Sequence, residues 1–284
     1  MLEIRRMTPQ VGAIAEGVDV RSIDDETFHT LYRTWLDCNV LVVRGQHLQL
    51  HEFLAYSRRF GHIDPHPSKS TRHPDCPEIT LLGVNKFDAD GKLNMAIYQR
   101  GASGWHTDGA YDDVPFKATQ LYGVAIPSHG GNTLFASMYA AYDALPETLK
   151  QRIAGRMGAY VYGGRRRAVA LLNPEDRDKK PALHPLVRTH PETGRKGLYF
   201  DPGKILRIEG LPAQESDALI DELTGYMVQP GAEYHHQWQK GDIVIWDNRC
   251  SYHKAAGDYP PEEDRIHWRV SIKERAESAQ RLPA

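Results

Sequence analysis

Cysteine is scarce in this sequence. The 284 residues include three cysteines, Cys38, Cys76 and Cys250, which stand far apart. Small secreted domains are held by dense disulfide frameworks, and zinc knuckles need closely paired cysteines, so the sequence fits neither class. Each thiol is expected to be buried or idle. The place of Cys250, three residues before a histidine discussed below, leaves open that it lies near a site.

Long apolar runs and an excess of one charge are also missing. Lysine and arginine number 35 against 37 aspartates and glutamates, and no basic run offers the footprint that a nucleic-acid binder needs. No stretch has the length of a membrane span, and the first residues lack the apolar core of a signal peptide. We therefore expect a soluble, cytoplasmic protein that binds neither nucleic acid nor membranes.

Internal repeats and linker-like runs are absent too, so one domain is expected across residues 1–284. Short apolar runs without regular strand and helix alternation predict a mainly β protein, a jelly roll with flanking helices. Strands are predicted at Ile79–Leu82, Thr119–Ile126, Thr133–Phe135, Leu183–Val187, Leu198–Phe200, Ile243–Trp246 and Ile266–Ile272. Helices are predicted from Asp24 or Asp25 to about Leu36, from Leu50 to Gly61, and over Pro212–Val228 against a sheet, with a further interruption at Ser137–Leu145.

The segment Trp105-His106-Thr107-Asp108 carries the first chemical signal. Residues two apart in an extended strand face the same side, so His106 and Asp108 can bind one cation. This pattern alone is weak, because the chain has 14 histidines and repeats the pattern at His62 and Asp64. A third ligand is needed to single out one copy.

His253 is the candidate third ligand, since it closely follows the apolar run Ile243–Trp246. Two imidazoles and one carboxylate on one face of a metal leave positions open for a cosubstrate and O₂, which is the facial triad of Fe(II) oxygenases. This favours iron over zinc. A zinc hydrolase with the same three ligands and a non-catalytic metal-binding barrel are the alternatives.

The last predicted strand has a strict period of two. Arg265, His267, Arg269 and Ser271 alternate with Ile266, Trp268, Val270 and Ile272. One face is therefore apolar, and the other carries two guanidinium groups suited to binding carboxylates or sulfonates. Two anionic groups near the metal are implied. The alternatives are an ordinary surface charge for Arg265 and, for Arg269, an ion pair with Asp108 or Asp247.

Together these segments resemble the taurine dioxygenase (TauD/TfdA-like) family of Fe(II)/2-oxoglutarate-dependent dioxygenases, over nearly the whole chain. That family also includes aryloxyacetate dioxygenases and alkylsulfatases. The resemblance rests on Trp105–Asp108, Gly130–Phe135, Leu183–Pro191, the segment from Trp246 to His253, and Arg265 with Arg269.

The resemblance implies a double-stranded β-helix of the clavaminate synthase type and a role for each matched residue. His106, Asp108 and His253 would bind Fe(II), and Arg265 with Thr133 would hold the far carboxylate of 2-oxoglutarate. O₂ and 2-oxoglutarate would be consumed while a small organic anion is oxidised and succinate and CO₂ are released.

The substrate anion would face three further residues. Arg269 would bind it, with help from His66 in the family's His-Pro position, and Tyr98 is a candidate for the pocket wall together with Tyr111. The alternatives are a loop-capping role for His66 and core packing for the tyrosines, which we prefer for Tyr199.

Two departures from the taurine enzyme's pattern argue against taurine itself as the substrate. Ala102 replaces an asparagine four residues before the first iron ligand, and the region of an aromatic pocket residue aligns with Gly163–Arg167. We hypothesise that Arg165, Arg166 and Arg167 extend the anion site, although such a run is more often a solvated loop. The sequence does not indicate which substrate is oxidised, or whether the reaction is a hydroxylation or a bond cleavage. We expect a homo-oligomer, either a dimer or a tetramer.

Overall fold

The computed structural model describes residues 1–65, 71–84, 86–87, 89–98, 104–166 and 179–273. The strands are β1 (Glu3–Arg6), β2 (Ala13–Glu16), β3 (Val40–Val43), β4 (His62–Ile63), β5 (Arg72–His73), β6 (Cys76–Leu82), β7 (Phe116–Ala125), β8 (Thr133–Ser137), β9 (Met157–Tyr160), β10 (Ala182–Pro185), β11 (Val187–Thr189), β12 (Lys196–Leu198), β13 (Ile205–Ile208), β14 (Glu233–His236), β15 (Ile243–Asp247), β16 (Ser251–Ala255) and β17 (Ile266–Lys273). The helices are α1 (Asp25–Cys38), α2 (Leu50–Arg58), α3 (Met95–Tyr98), α4 (Met138–Asp143), α5 (Glu147–Ile153) and α6 (Ala213–Thr224). Within these ranges no helix combines the length and the apolar character needed to cross a bilayer.

Helix α1 follows the predicted capping pattern. The Asp24 carboxylate accepts a hydrogen bond from the backbone N–H of Thr27 at 2.8 Å, which satisfies a free donor of the first turn. Asn39 ends the helix in the left-handed conformation at φ 63°. Leu31 and Trp35 on the inner face are fully buried and pack the helix onto the main sheet.

Two sheets form the jelly roll that the sequence predicts. The larger has nine strands in the order β1-β2-β3-β15-β7-β17-β6-β5, with β4 paired to β17, and the smaller has the order β14-β8-β16. Val244 and Leu121 of the larger sheet share one buried cluster with Phe135 and Tyr234 of the smaller sheet. The two sheets therefore enclose a common interior.

Strand β17 confirms the predicted alternation. Trp268, Val270 and Ile272 pack into the apolar layer beneath α1 and α2. Because successive side chains leave opposite faces of a strand, Arg269 points to the interior between the sheets, where Arg265, the residue before β17, contacts Thr133 of the smaller sheet.

One predicted strand is divided in the structure. The run Leu183–Val187 is not one strand: β10 pairs with β9, β11 pairs with β12, and the chain changes sheets at Leu186. Helix α6 buries Leu219 and Leu223 in the cluster that contains β13, so it packs against the three-stranded sheet β10-β9-β13, which agrees with the predicted packing on a sheet. The pairing partners of β10 and β11 cannot be predicted from a local apolar pattern.

Candidate active site

His106, Asp108 and His253 come together at the interior face of the smaller sheet. One ligand atom from each lies within 4.8 Å of the others. The backbone of His106 bonds to that of His253 in both directions, at 3.0 and 2.9 Å, and their ring centroids are 4.2 Å apart. A pair of backbone hydrogen bonds thus joins the segment of His106 to strand β16, which carries His253.

The predicted strand around His106 is reduced to this single bridge, but the alternation holds. The Thr107 side chain points away from the ligands, and its hydroxyl donates to the backbone oxygen of Asn248 at 2.8 Å. His106 and Asp108 therefore face the same side. The other His-x-Asp copy forms an exposed pair, with His62 Nε2 2.7 Å from Asp64 Oδ1, and belongs to no three-ligand group among the described residues.

The local charges keep Asp108 ionised. Burial alone would raise the pKa of its carboxyl, but the Arg269 guanidinium, at 2.9 Å, lowers it well below the usual range. Burial likewise lowers the pKa of His253 well below its usual value, so this imidazole is neutral. A neutral imidazole and an ionised carboxylate are the protonation states that bind a metal.

The free ring nitrogens agree with a metal at this position. His106 Nδ1 lies 3.0 Å from the backbone oxygen of Gly104, which can only accept, so Nδ1 carries the proton and Nε2 keeps a lone pair. His253 Nε2 is the ring nitrogen that faces Asp108, 3.7 Å from Oδ2. The two nitrogens and the carboxylate are the donor set of a facial triad, so these residues fit Fe(II).

Thr133 and Arg265 are in contact and form a candidate subsite for an anion. Arg265 Nε donates to the backbone oxygen of Gly131 at 2.7 Å, and Nη2 donates to Thr133 Oγ1 at 3.3 Å. Trp238 Nε1 donates to the same hydroxyl oxygen at 3.0 Å. Since both neighbours only donate, the hydroxyl proton of Thr133 is free to bind a carboxylate oxygen.

Within the described ranges no carboxylate is in ion-pair contact with Arg265, and the nearby charge of Asp258 offsets the effect of burial on its pKa only in part. Burial of this guanidinium lowers its pKa to about 10, which leaves it charged at neutral pH. A buried cation without an anionic partner is costly. This subsite is therefore suited to a carboxylate supplied by a ligand.

The other predicted substrate residues differ in position. Arg269 lies beside the triad and pairs with Asp108, the alternative that the sequence left open. Tyr98 contacts Tyr259, to whose backbone oxygen its hydroxyl donates, and the two ring centroids are 4.8 Å apart. His66 lies outside the described residues, as do Ala102 and Arg167.

Tyr111 stands close enough to the triad for its hydroxyl to be affected by its charges. Burial, with Asp112 and Asp108, raises its pKa to about 12. Its ring packs edge-on against Tyr162, at 5.7 Å between centroids. Tyr199 is 1% exposed and belongs to the core, as preferred. Arg165 binds Asp217 and Asp221 of α6, and this pairing accounts for its charge without a ligand.

A second group, His190, Asp247 and Cys250, also brings three ligand atoms within 4.8 Å of one another. Its lone pairs are used internally. His190 Nδ1 accepts from two backbone N–H groups, so its Nε2 donates to Asp247 at 3.0 Å. Arg249 binds both oxygens of the same carboxylate, at 2.8 and 2.6 Å. The polar atoms of His190 and Asp247 thus already have hydrogen-bond partners within an ionic network. Cys250 belongs to this network instead of to the triad.

The network predicts a specific pH dependence of stability. Burial would raise the pKa values of Asp247 and Glu192, but Arg249 lowers both below their ordinary values of 3.8 and 4.5. The stability they contribute is therefore complete above pH 4.5 and is lost as the pH falls through the folded pKa values. We expect Arg249→Met to cost about 3–5 kcal/mol at pH 7.

The same substitution should also flatten the decline in the unfolding free energy below pH 4.5, because neither carboxyl would keep its lowered pKa. Urea unfolding between pH 7 and 3 measures both effects. Equal acid slopes for the two proteins would show that the carboxylates do not depend on Arg249.

Sequence reasoning missed three residues of the site. Thr119 donates a hydrogen bond to Asp108 Oδ2 at 2.7 Å. Asn248 forms hydrogen bonds with both Thr119 and Asp108, and Trp238 donates one to Thr133. The alternation of β7 places Thr119 on the interior face, which was a usable signal. Nothing local indicates which ligand it meets.

Comparisons with known proteins agree with this geometry. The sequence profile of the "Taurine catabolism dioxygenase TauD, TfdA family" matches residues 3–271. The (S)-phenoxypropionate/alpha-ketoglutarate-dioxygenase of Sphingobium herbicidovorans is 34% identical over 95% of this chain and 94% of its own length. An alkylsulfatase of Acinetobacter baylyi is 33% identical over 95% of this chain and 84% of its own.

A crystal structure of a taurine dioxygenase from Burkholderia xenovorans superposes with a TM-score of 0.80 and 27% identity, covering 96% of this chain and 90% of that one. Its fold class is the jelly roll expected here. The chain belongs to the TauD, TfdA family and is an Fe(II)- and 2-oxoglutarate-dependent dioxygenase that consumes O₂.

Proposed function

We propose that His106, Asp108 and His253 bind the Fe(II), that Arg265 and Thr133 bind the far carboxylate of 2-oxoglutarate, and that Arg269 binds the anion of the oxidised substrate. The observation that carries this proposal is the position of two interior guanidinium groups, that of Arg269 on β17 beside the triad and that of Arg265, just before β17, beside Thr133.

When bound, the iron supplies the oxidative chemistry in which 2-oxoglutarate becomes succinate and CO₂. The protein supplies position and charge. Arg265 and the free proton of Thr133 orient the diacid, and Arg269 holds the substrate anion beside the triad. Trp246 and Phe135 pack against His253, with ring centroids at 4.6 and 6.4 Å, and exclude water from that side.

The substrate class that we propose is a carboxylate, sulfonate or sulfate ester of small size. A planar guanidinium binds each of these anions through two parallel hydrogen bonds. The relatives named for phenoxypropionate and alkyl sulfate turnover support this range. Oxidation at a carbon that bears oxygen or sulfur would cleave the substrate, while oxidation elsewhere would leave a stable alcohol.

The test is succinate formation by the purified chain with Fe(II), ascorbate and 2-oxoglutarate. The panel contains aryloxyalkanoates, alkyl sulfates, sulfonates and, as a further class, amino acids. The proposal expects at least one anion to raise both succinate formation and O₂ consumption above background. Turnover stimulated only by uncharged compounds would contradict the anion site.

Arg269→Met should weaken binding of the substrate without a similar effect on binding of the cosubstrate. Loss of a hydrogen bond to a charged group costs about 1.5–3 kcal/mol, so the KM for the best anion should rise roughly 10- to 150-fold. The KM for the diacid cosubstrate should change much less. An unchanged KM for the anion would mean that Arg269 acts only as the partner of Asp108.

Four further proposals rest on the sequence and concern the organisation and location of the protein instead of its reaction. We propose a single domain over residues 1–284, a homodimer or homotetramer in solution, no binding to nucleic acid or membranes, and a cytoplasmic location. The three free cysteines support a reducing compartment. Light scattering of the purified chain and fractionation of cells test the assembly and the location.

A further inference from the structure

A chain of hydrogen bonds runs from the protein interior to the carboxylate of Asp108. It begins at Trp246 Nε1, which donates to Asn248 Oδ1 at 3.0 Å. Because the indole nitrogen can only donate, this contact fixes which end of the Asn248 amide carries the oxygen. The same oxygen accepts from the backbone N–H of Asp108 at 3.3 Å.

The other end of the amide fixes the next link. Asn248 Nδ2 can only donate, and it does so to Thr119 Oγ1 at 3.0 Å. The single proton of that hydroxyl is thereby left for Asp108 Oδ2, at 2.7 Å. Each donor in the chain has one acceptor, and the direction of every bond follows from the side chains themselves.

We propose that Thr119 and Asn248 are positioning residues that set the affinity of the triad for its metal. This rests on the proposed iron site. Asn248 holds the backbone of Asp108, and Thr119 holds its carboxylate. Both side chains are fully buried, so water cannot replace either bond.

Chain topology explains why these two residues can act together. Thr119 lies on β7, opposite Trp246 of β15, and Asn248 directly follows β15. The ionic pair Asp247 and Arg249 flanks Asn248 on both sides and anchors this turn. The position of the Asp108 carboxylate is therefore set by the central strands β7 and β15 of the larger sheet instead of by its own loop.

The test is a Co(II) titration of the full-length, metal-free protein, followed by visible absorption. Substitution of residues that orient a metal ligand costs about 10- to 100-fold in affinity. Thr119→Val keeps the shape and removes the donor, so its Kd for Co(II) should rise by that factor. Asn248→Asp keeps the shape but draws the Thr119 proton away from Asp108, so it should have the same effect.

Two controls accompany these variants. Thr119→Ser restores the hydroxyl and should bring the Kd close to the wild-type value. Ser57→Ala removes an equally buried hydroxyl, bonded to the backbone of Phe53 at 2.7 Å in α2, and should leave the Kd unchanged. Thermal unfolding of each metal-free variant separates loss of affinity from loss of fold.

The outcomes distinguish this inference from the proposed function. Equal Co(II) binding by the wild type and His253→Ala would overturn both. Binding that requires His253 but is unchanged in a folded Thr119→Val or Asn248→Asp variant would overturn this inference alone. We expect weaker Co(II) binding by Thr119→Val and Asn248→Asp than by the wild type, and near-wild-type binding by Thr119→Ser.

Discussion

Replacement of His253 by alanine is expected to remove substrate-stimulated succinate formation by a factor of roughly 1,000 or more. His253 supplies one of three ligand atoms within 4.8 Å of one another, and two protein ligands would remain. A metal ion contributes several kcal/mol to catalysis, and each 1.36 kcal/mol corresponds to a factor of ten. Succinate assays and the iron content of the reconstituted protein measure the effect.

His235→Ala is the matched control for this experiment. His235 also lies on the smaller sheet, on β14, but its side chain is exposed and faces Glu233 at 3.3 Å. Both variants should show the circular dichroism of the wild type. Retention of full activity and full iron content by His253→Ala would exclude the proposed metal site.

Replacement of Arg265 by methionine is expected to have opposite effects on cosubstrate binding and on stability. Removing one partner of a buried charge pair costs about 2–5 kcal/mol, so the KM for the diacid cosubstrate should rise roughly 30- to 4,000-fold. The ligand-free protein should be no less stable, because the variant removes a buried cation that lacks a carboxylate partner in the described chain.

Urea unfolding without ligands measures the stability, and steady-state kinetics with varied 2-oxoglutarate measure cosubstrate binding. Arg207→Met serves as control, since Arg207 forms an exposed pair with Glu209 at 2.7 Å. Arg265→Lys keeps the charge but loses the planar fork, and its KM should fall between those of the wild type and the methionine variant. A normal KM in Arg265→Met would place the cosubstrate elsewhere.

The proximity of His106, Asp108 and His253 and the interior position of the arginine pair could be predicted because much of the signal is local. Alternation over two residues directs His106 and Asp108 to one side, and the same period predicts that Arg265 and Arg269 face the interior, although Arg265 lies just before β17. The Asp24 cap and the start of α1 are local in the same sense. Each prediction needs only a few neighbouring residues.

The supporting contacts could not be predicted, because they join distant parts of the chain. Trp238 meets Thr133 across 105 positions, and Asn248 meets Thr119 across 129. Which strands become neighbours depends on the global packing of both sheets. The same reason explains why Leu183–Val187 divides between two sheets although its apolar run is continuous.

Family membership decides between the alternatives that the ligands alone left open. A zinc hydrolase and a passive metal-binding barrel both explain two histidines and an aspartate. Neither explains an interior guanidinium group that has only a hydroxyl and a backbone oxygen as described hydrogen-bond partners. An oxidative enzyme with a diacid cosubstrate accounts for both features, as the profile match over residues 3–271 indicates.

An anomalous diffraction map from a crystal grown with Fe(II) and 2-oxoglutarate, without O₂, tests the metal site most directly. The account predicts one iron peak about 2.1 Å from a nitrogen of His106, a nitrogen of His253 and an oxygen of Asp108. Density for the diacid should extend from that peak to Arg265 and Thr133. A peak at another location, such as His190, Asp247 and Cys250, would contradict it.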